Sequence, residues 1–126
     1  MTKPEQTAEI HATVRLDAES LDPSGLVVTV SGELDVATAP QLRARLTTAI
    51  DAGVNRLVID LGSLDFLDSI ALAVMLQART RLGDAGRMAV VVAPDSYTRL
   101  IFEVAGMPQC IDVFETRQHA IAHVAG

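Results

Sequence analysis

The sequence has no tryptophan, a single cysteine and a single lysine, and aromatic residues make up only 3% of it. Each shortage removes a class of function. The one cysteine, Cys110, cannot form an internal disulfide, and beside Ile111 it reads as a small core residue and not as a nucleophile. Few aromatic rings leave little surface on which bases or sugars could stack. The formal net charge is −6, and no cluster of basic residues is present to meet a phosphate backbone, so direct binding of nucleic acid is not expected. No apolar run approaches the roughly 20 residues that span a bilayer, and the opening Met-Thr-Lys-Pro-Glu-Gln lacks the hydrophobic stretch of a signal peptide. The expectation is a cytoplasmic protein with no membrane contact. Neither a GxxxxGK loop nor a GxGxxG turn occurs, so no nucleotide is expected, and no other cofactor or metal either.

What is present suits one globular domain. At 126 residues, 49% hydrophobic and 21% charged, the chain is long enough to bury about two-thirds of its unfolded surface. Residues 1–9 are polar, include Pro4 and show no period, which predicts a flexible N-terminal tail, with a single domain over 10–126. A free protein of this kind is expected to be a monomer without catalytic activity.

One stretch, LVIDLGSLDFLDSIALAVMLQARTRL over Leu57–Leu82, frames a polar group between two elements. Leu57, Val58 and Ile59 are too few for a helix and rich in β-branching, so they read as a strand buried on both faces and ending at Asp60. A loop carrying Gly62, Ser63 and Asp65 is expected next. After Asp68 the apolar residues Ala71, Val74, Met75, Ala78 and Leu82 recur at helical intervals, which makes Asp68 or Ser69 the N-cap. The Ser69 hydroxyl would then lie in the first turn, beside unpaired backbone N–H groups and the positive end of the helix dipole. An ordinary cap would need nothing more. Here, however, Ile70, Leu72, Ala73 and Leu76 fall outside the core-facing set, so the helix is apolar over more than one face and should meet a second layer or a partner. Asp60, Asp65 and Asp68 are all close to Ser69 in sequence.

The remaining elements follow in order. Ile10, Ala12, Val14 and Leu16 alternate with His11, Thr13 and Arg15 as a half-exposed strand, and Leu26 to Val30 forms a second, joined through a loose loop containing Asp22, Pro23, Ser24 and Gly25. Ser31 and Gly32 close that strand, and Glu33, Leu34 and Asp35 cross the sheet edge. Thr38-Ala-Pro-Gln41 fits a capping box with proline in the first turn, opening a helix whose Leu42, Leu46, Ala49 and Ile50 face inward and which stops at Gly53. Met88 to Val92 is another buried strand. Asp95 or Ser96 caps a third helix with Tyr97, Leu100, Ile101 and Val104 on one face, ended by Gly106 and Pro108. Ile111 to Phe114 is a last strand, and Thr116 caps a closing helix with Ala120, Ile121 and Val124 inward. The fold class is therefore α/β, with a mixed sheet of about five strands covered by about four helices.

Two segments, Ser31-Gly32-Glu33-Leu34-Asp35 and Leu64-Asp65-Phe66-Leu67-Asp68-Ser69, separated by a helix and a strand, resemble those of the anti-sigma factor antagonists of the STAS (sulfate transporter and anti-sigma) class. The resemblance runs from Ile10 to Val124. It implies a STAS-like fold and a bacterial switch protein whose unmodified form binds an anti-sigma factor that is also a serine kinase, releasing a sigma factor for transcription. Phosphorylation of one serine ends the binding, and a serine phosphatase restores it. That serine matches Ser69 after Asp68, and Asp35 matches the acidic residue of the first loop. The implied partner-binding residues are Gly32, Glu33, Leu34, Asp35, Asp68, Ser69, Ile70 and Ala73. The chain departs from the family at Ile70 and Ala71, where a serine or threonine and then a glycine are usual. Alanine for glycine stiffens the helix start by roughly 1 kcal/mol of propensity.

Two other chemistries compete. A STAS-like module can instead be a regulatory or interaction subunit of another sensory or transport complex. A serine between a strand and a helix also resembles the nucleophile elbow of the α/β hydrolases, with Ser69, Asp95 or Asp112, and His119 or His123 in the right chain order. Leu67 and Ala71 stand where that elbow needs glycines, which argues against a small serine hydrolase. His119 and His123, four apart on the last helix, lack a third ligand and read as residues facing the helix dipole.

Overall fold

The computed structural model describes residues 9–10, by their backbone, and 13–125. Apart from Glu9, the expected tail lies outside the described residues. The elements are β1 (Glu9–Ile10), β2 (Val14–Asp22), β3 (Gly25–Leu34), α1 (Ala39–Asp51), β4 (Arg56–Leu67), α2 (Ser69–Leu82), β5 (Arg87–Val91), α3 (Tyr97–Val104), a 3-10 turn at Met107–Gln109, β6 (Asp112–Phe114) and α4 (Arg117–Ala125). One sheet takes the strands in sequence order, antiparallel from β1 to β3 and parallel from β3 to β6. The predicted α/β order is the one found, with β2 to β6 as the five expected strands.

Parallel neighbours laid down in one direction, with crossovers of a single hand, bring their helices to one face of the sheet. Accordingly Val28, Val30, Ile59, Leu61, Val90 and Val92 share a core with Leu42 and Leu46 of α1, Ala71 and Met75 of α2, and Phe102 of α3. The alternate residues Val27, Val58, Ala89 and Val91 pack on the other face against Ala120 and Val124 of α4. Burial on both faces is why these strands read as uninterrupted apolar runs. Among the described residues no helix is long and apolar enough to cross a membrane.

Several boundaries differ from the sequence reading. Glu9 lies opposite Leu16 and Ile10 opposite Arg15, so the expected single strand from Ile10 to Leu16 is two strands folded back on each other. The hairpin loop is tight and not loose, because β2 continues to Asp22, whose carboxylate accepts the Ser24 amide at 3.0 Å. Neither β3 nor β4 stops where turn residues suggested. They run on, paired with each other, to Leu34 and Leu67. On α3 the inward residues are Phe102 and Thr98, with Ile101 of the expected face packed against the core, while Tyr97, Leu100 and Val104 point outward; Cys110, expected in the core, is exposed after the 3-10 turn.

Candidate functional site

The extra length of β4 positions the site. Pairing with β3 shifts register twice, and at the second shift Gly32 and Glu33 lie opposite Leu64 and Phe66, leaving Asp65 as the unpaired extra residue. Such a bulge re-aims the chain. Phe66 consequently turns outward and Leu67 is buried. Immediately afterwards the Asp68 amide donates to the Leu34 carbonyl at 3.0 Å, which fixes the start of α2 against the end of β3. Asp68 is the N-cap: its backbone is extended, and its carboxylate accepts the Ile70 amide at 3.1 Å. Ser69 follows, exposed, and among the described residues its hydroxyl has no hydrogen-bond partner.

The neighbouring loop is held from within. The Asp35 carboxylate accepts the amides of Ala37 at 2.9 Å and Thr38 at 3.0 Å, and the Ala39 amide donates to the Asp35 carbonyl at 2.8 Å. Asp35, and not Thr38, therefore closes the entry to α1. The expected capping box does not form because the Thr38 amide is already taken and its hydroxyl is used elsewhere, accepting the Asp35 amide at 2.9 Å and donating to the Glu33 carbonyl at 2.7 Å. Thr38 is accordingly buried.

Of the residues named from the sequence, Glu33, Asp35, Asp68, Ser69 and Ile70 come together at the carboxyl ends of β3 and β4, with Ala73 half-buried on the next turn. Leu34 does not belong with them: at 0% exposure it is a core residue and offers nothing to a partner. Gly32 is a strand position with a backbone reason. Its φ is +91°, and a Cβ there would lie 2.1 Å from the Thr13 carbonyl oxygen. Asp60 also leaves the acidic group around Ser69, because it pairs with Arg117 of α4 at 2.9 Å and accepts the Gly62 amide. Asp35, Asp65 and Asp68, by contrast, have no cationic partner among the described residues. The sequence reading missed Val36 and Phe66 as exposed apolar groups here. The bulge that turns Phe66 outward has no composition signal of its own.

The hydrolase constellation does not assemble. His123 meets Asp112 at 2.7 Å in a cleft of about 240 Å³ with Arg79, Arg87, Met88 and Cys110. That cleft adjoins the first residues of β5, which pair with the start of β4, whereas Ser69 follows the far end of β4. Ser69 and His123 are therefore at opposite ends of the strands, and among the described residues the Ser69 hydroxyl bonds neither His123 nor His119.

Comparison with known proteins gives concordant matches. The STAS domain model matches residues 14–120. BtrV of Bordetella bronchiseptica, provisionally named an anti-sigma factor antagonist, is 32% identical over 97 residues, 77% of this chain and 84% of its own. A crystal structure of an anti-sigma factor antagonist from Mycobacterium paratuberculosis superposes with a TM-score of 0.83 at 27% identity, over 90% of this chain and 96% of that one. The anti-sigma factor antagonist SpoIIAA in its unphosphorylated form gives 0.75 at 27% identity, over 88% and 96%, and the Bacillus protein in its phosphorylated form gives 0.64 at 27% identity, over 86% and 98%.

Proposed function

Because this chain belongs to the STAS domain family, we propose that it is an anti-sigma factor antagonist whose binding is switched by phosphorylation of Ser69. The observation that carries the reading is the unencumbered Ser69 hydroxyl on the first turn of α2, held beside the Asp35 loop by the bond from the Asp68 amide to the Leu34 carbonyl. A kinase needs such a hydroxyl free. The partner is an anti-sigma factor with serine kinase activity, a serine phosphatase resets the switch, and the free chain is a monomer. ATP belongs to the partner, so the chain itself is not an enzyme. The relatives described above carry antagonist names, which favours this role over that of a subunit in a transport complex.

Phosphorylation adds about −1.5 to −2 charge at a helix N-terminus, where the dipole and free N–H groups accept it. It also sets that charge beside Asp35, Asp65 and Asp68, none of which has a cation to offset it among the described residues. A docked partner would have to desolvate the whole group, so the modified form should be rejected while the fold survives. Intact mass before and after incubation with ATP and each purified anti-sigma kinase of the same genome tests the first step. A gain of one phosphate, absent in Ser69→Ala, is expected. No kinase adding phosphate, or addition at another residue, would remove Ser69 from the role.

A further inference from the structure

The described residues expose six large apolar side chains: Val36, Phe66, Ile70, Tyr97, Leu100 and Val104, from 36% at Ile70 to 78% at Val104. All six belong to segments that follow or end three adjacent parallel strands, β3, β4 and β5. Three are on α3, where Tyr97, Leu100 and Val104 form a stripe on the side away from buried Phe102. This stripe is continuous with the Ser69 region: the rings of Tyr97 and Phe66 stack with centroids 6.0 Å apart and planes 14° from parallel. Phe66 is three residues before Ser69 in sequence.

Among the described residues, the unpaired charges in the segments that carry the row are all negative. Glu33, Asp35, Asp65, Asp68 and Asp95 have no ion-pair partner among the described residues, and Arg99, on α3 itself, is taken by Glu103 and Glu115. A second copy of this chain would bring the same carboxylates against them. The complementary surface is an apolar centre with a basic rim. Size points the same way. A stable specific interface uses about 20–30 residues a side, far more than the few around Ser69.

We infer that the outward stripe of α3, Tyr97, Leu100 and Val104, together with Phe66, is a second docking segment for the anti-sigma factor, recognised by an apolar patch with a basic rim on that partner. This rests on the function proposed above and adds a division of labour. The Ser69 turn is the segment that phosphorylation disables, and α3 contributes affinity in either state.

The test uses the full chain carrying Leu100→Asp and Val104→Asp together, titrated calorimetrically with each purified anti-sigma factor of the same genome, beside the wild type and Ile70→Asp. Both α3 substitutions are at exposed positions, and an unchanged melting temperature checks that the fold is kept. The unmodified double variant should bind the anti-sigma factor about 30-fold more weakly than the unmodified wild type, and phosphorylation of Ser69 should weaken binding by the same factor in variant and wild type. Wild-type affinity in the double variant, with Ile70→Asp or phosphorylation still abolishing binding, would overturn the α3 segment and leave the switch reading intact. Absence of wild-type binding to every anti-sigma factor would overturn both. Concentration-dependent dimerisation in sedimentation, lost in the double variant, would assign the stripe to self-association and overturn the inference.

Discussion

The Thr38 hydroxyl is engaged by the Asp35 amide at 2.9 Å and in turn donates to the Glu33 carbonyl at 2.7 Å, so a buried threonine ties the acidic loop to the end of β3. Asp35 then has two roles in one side chain. One carboxylate oxygen holds the turn by accepting the Ala37 and Thr38 amides, while its charge belongs to the loop next to the Leu34 carbonyl that the Asp68 amide binds. Asp35→Asn retains an acceptor oxygen and loses the charge; Asp35→Ala loses both. Urea denaturation should show Asp35→Ala less stable by about 1–2 kcal/mol and Asp35→Asn close to wild type. If the partner reads the charge, Asp35→Asn should still bind poorly. Equal stability of all three proteins would show that the turn does not depend on this side chain.

How much of this was legible depended on whether a residue's role was local. The order of elements was readable because each apolar run carries its own period, and Asp68 as a cap was readable because capping is a contact between neighbours. The long extensions of β3 and β4 were not. Ser31, Gly32, Gly62, Ser63 and Asp65 have turn chemistry, and only the pairing of one strand with the other, through two register shifts, keeps them extended. The expected inward face of α3 held at Ile101 and failed at its other three residues for a related reason. Tyr97, Leu100 and Val104 have the spacing of a core stripe, and periodicity cannot tell an inward stripe from one left outward.

Gly32 should be the least replaceable glycine of the site. A Cβ would collide with the Thr13 carbonyl oxygen, which cannot withdraw because it also accepts the Glu33 amide at 2.6 Å. Gly53 has a similar φ, +106°, but nothing within 4 Å of a new Cβ. Gly53→Ala should therefore cost only the backbone term, about 1–2 kcal/mol, and Gly32→Ala distinctly more. Denaturation midpoints in the reverse order would mean that the β2–β3 contact at Thr13 yields easily.

The hairpin tip should weaken in acid. Asp22 is held below the usual carboxylate range first by the Arg56 guanidinium and then by the Ser24 amide. A depressed folded value means that the unfolded chain takes up the proton first. The contribution is present above about pH 4 and is lost as pH falls through the lower folded value. Asp22→Asn should flatten this part of the melting-temperature profile below pH 4, and salt should shrink the difference because the pair is partly exposed. Parallel profiles for the two proteins, offset by a constant, would show that Asp22 does not titrate with folding.

Ser69 should separate binding from folding. Its hydroxyl makes no hydrogen bond among the described residues, so Ser69→Ala removes no contact and should change stability by no more than about 0.5 kcal/mol. The cap is supplied by Asp68, which stays in place. A phosphate at the same position meets the helix N-terminus favourably and the carboxylates of Asp35, Asp65 and Asp68 unfavourably. The two effects oppose each other in the free protein, and its melting temperature should move little. In the complex the repulsion acts in a desolvated interface, and binding should fall well over tenfold. Ser69→Glu carries one negative charge in place of nearly two, so its affinity for the anti-sigma factor should lie between those of Ser69→Ala and the phosphorylated chain. The measurement is calorimetric titration of all three, each checked by intact mass and thermal melting. Tight binding by the phosphorylated chain would reduce Ser69 to an ordinary first-turn residue, and a large drop in its melting temperature would mean that the switch acts by unfolding α2.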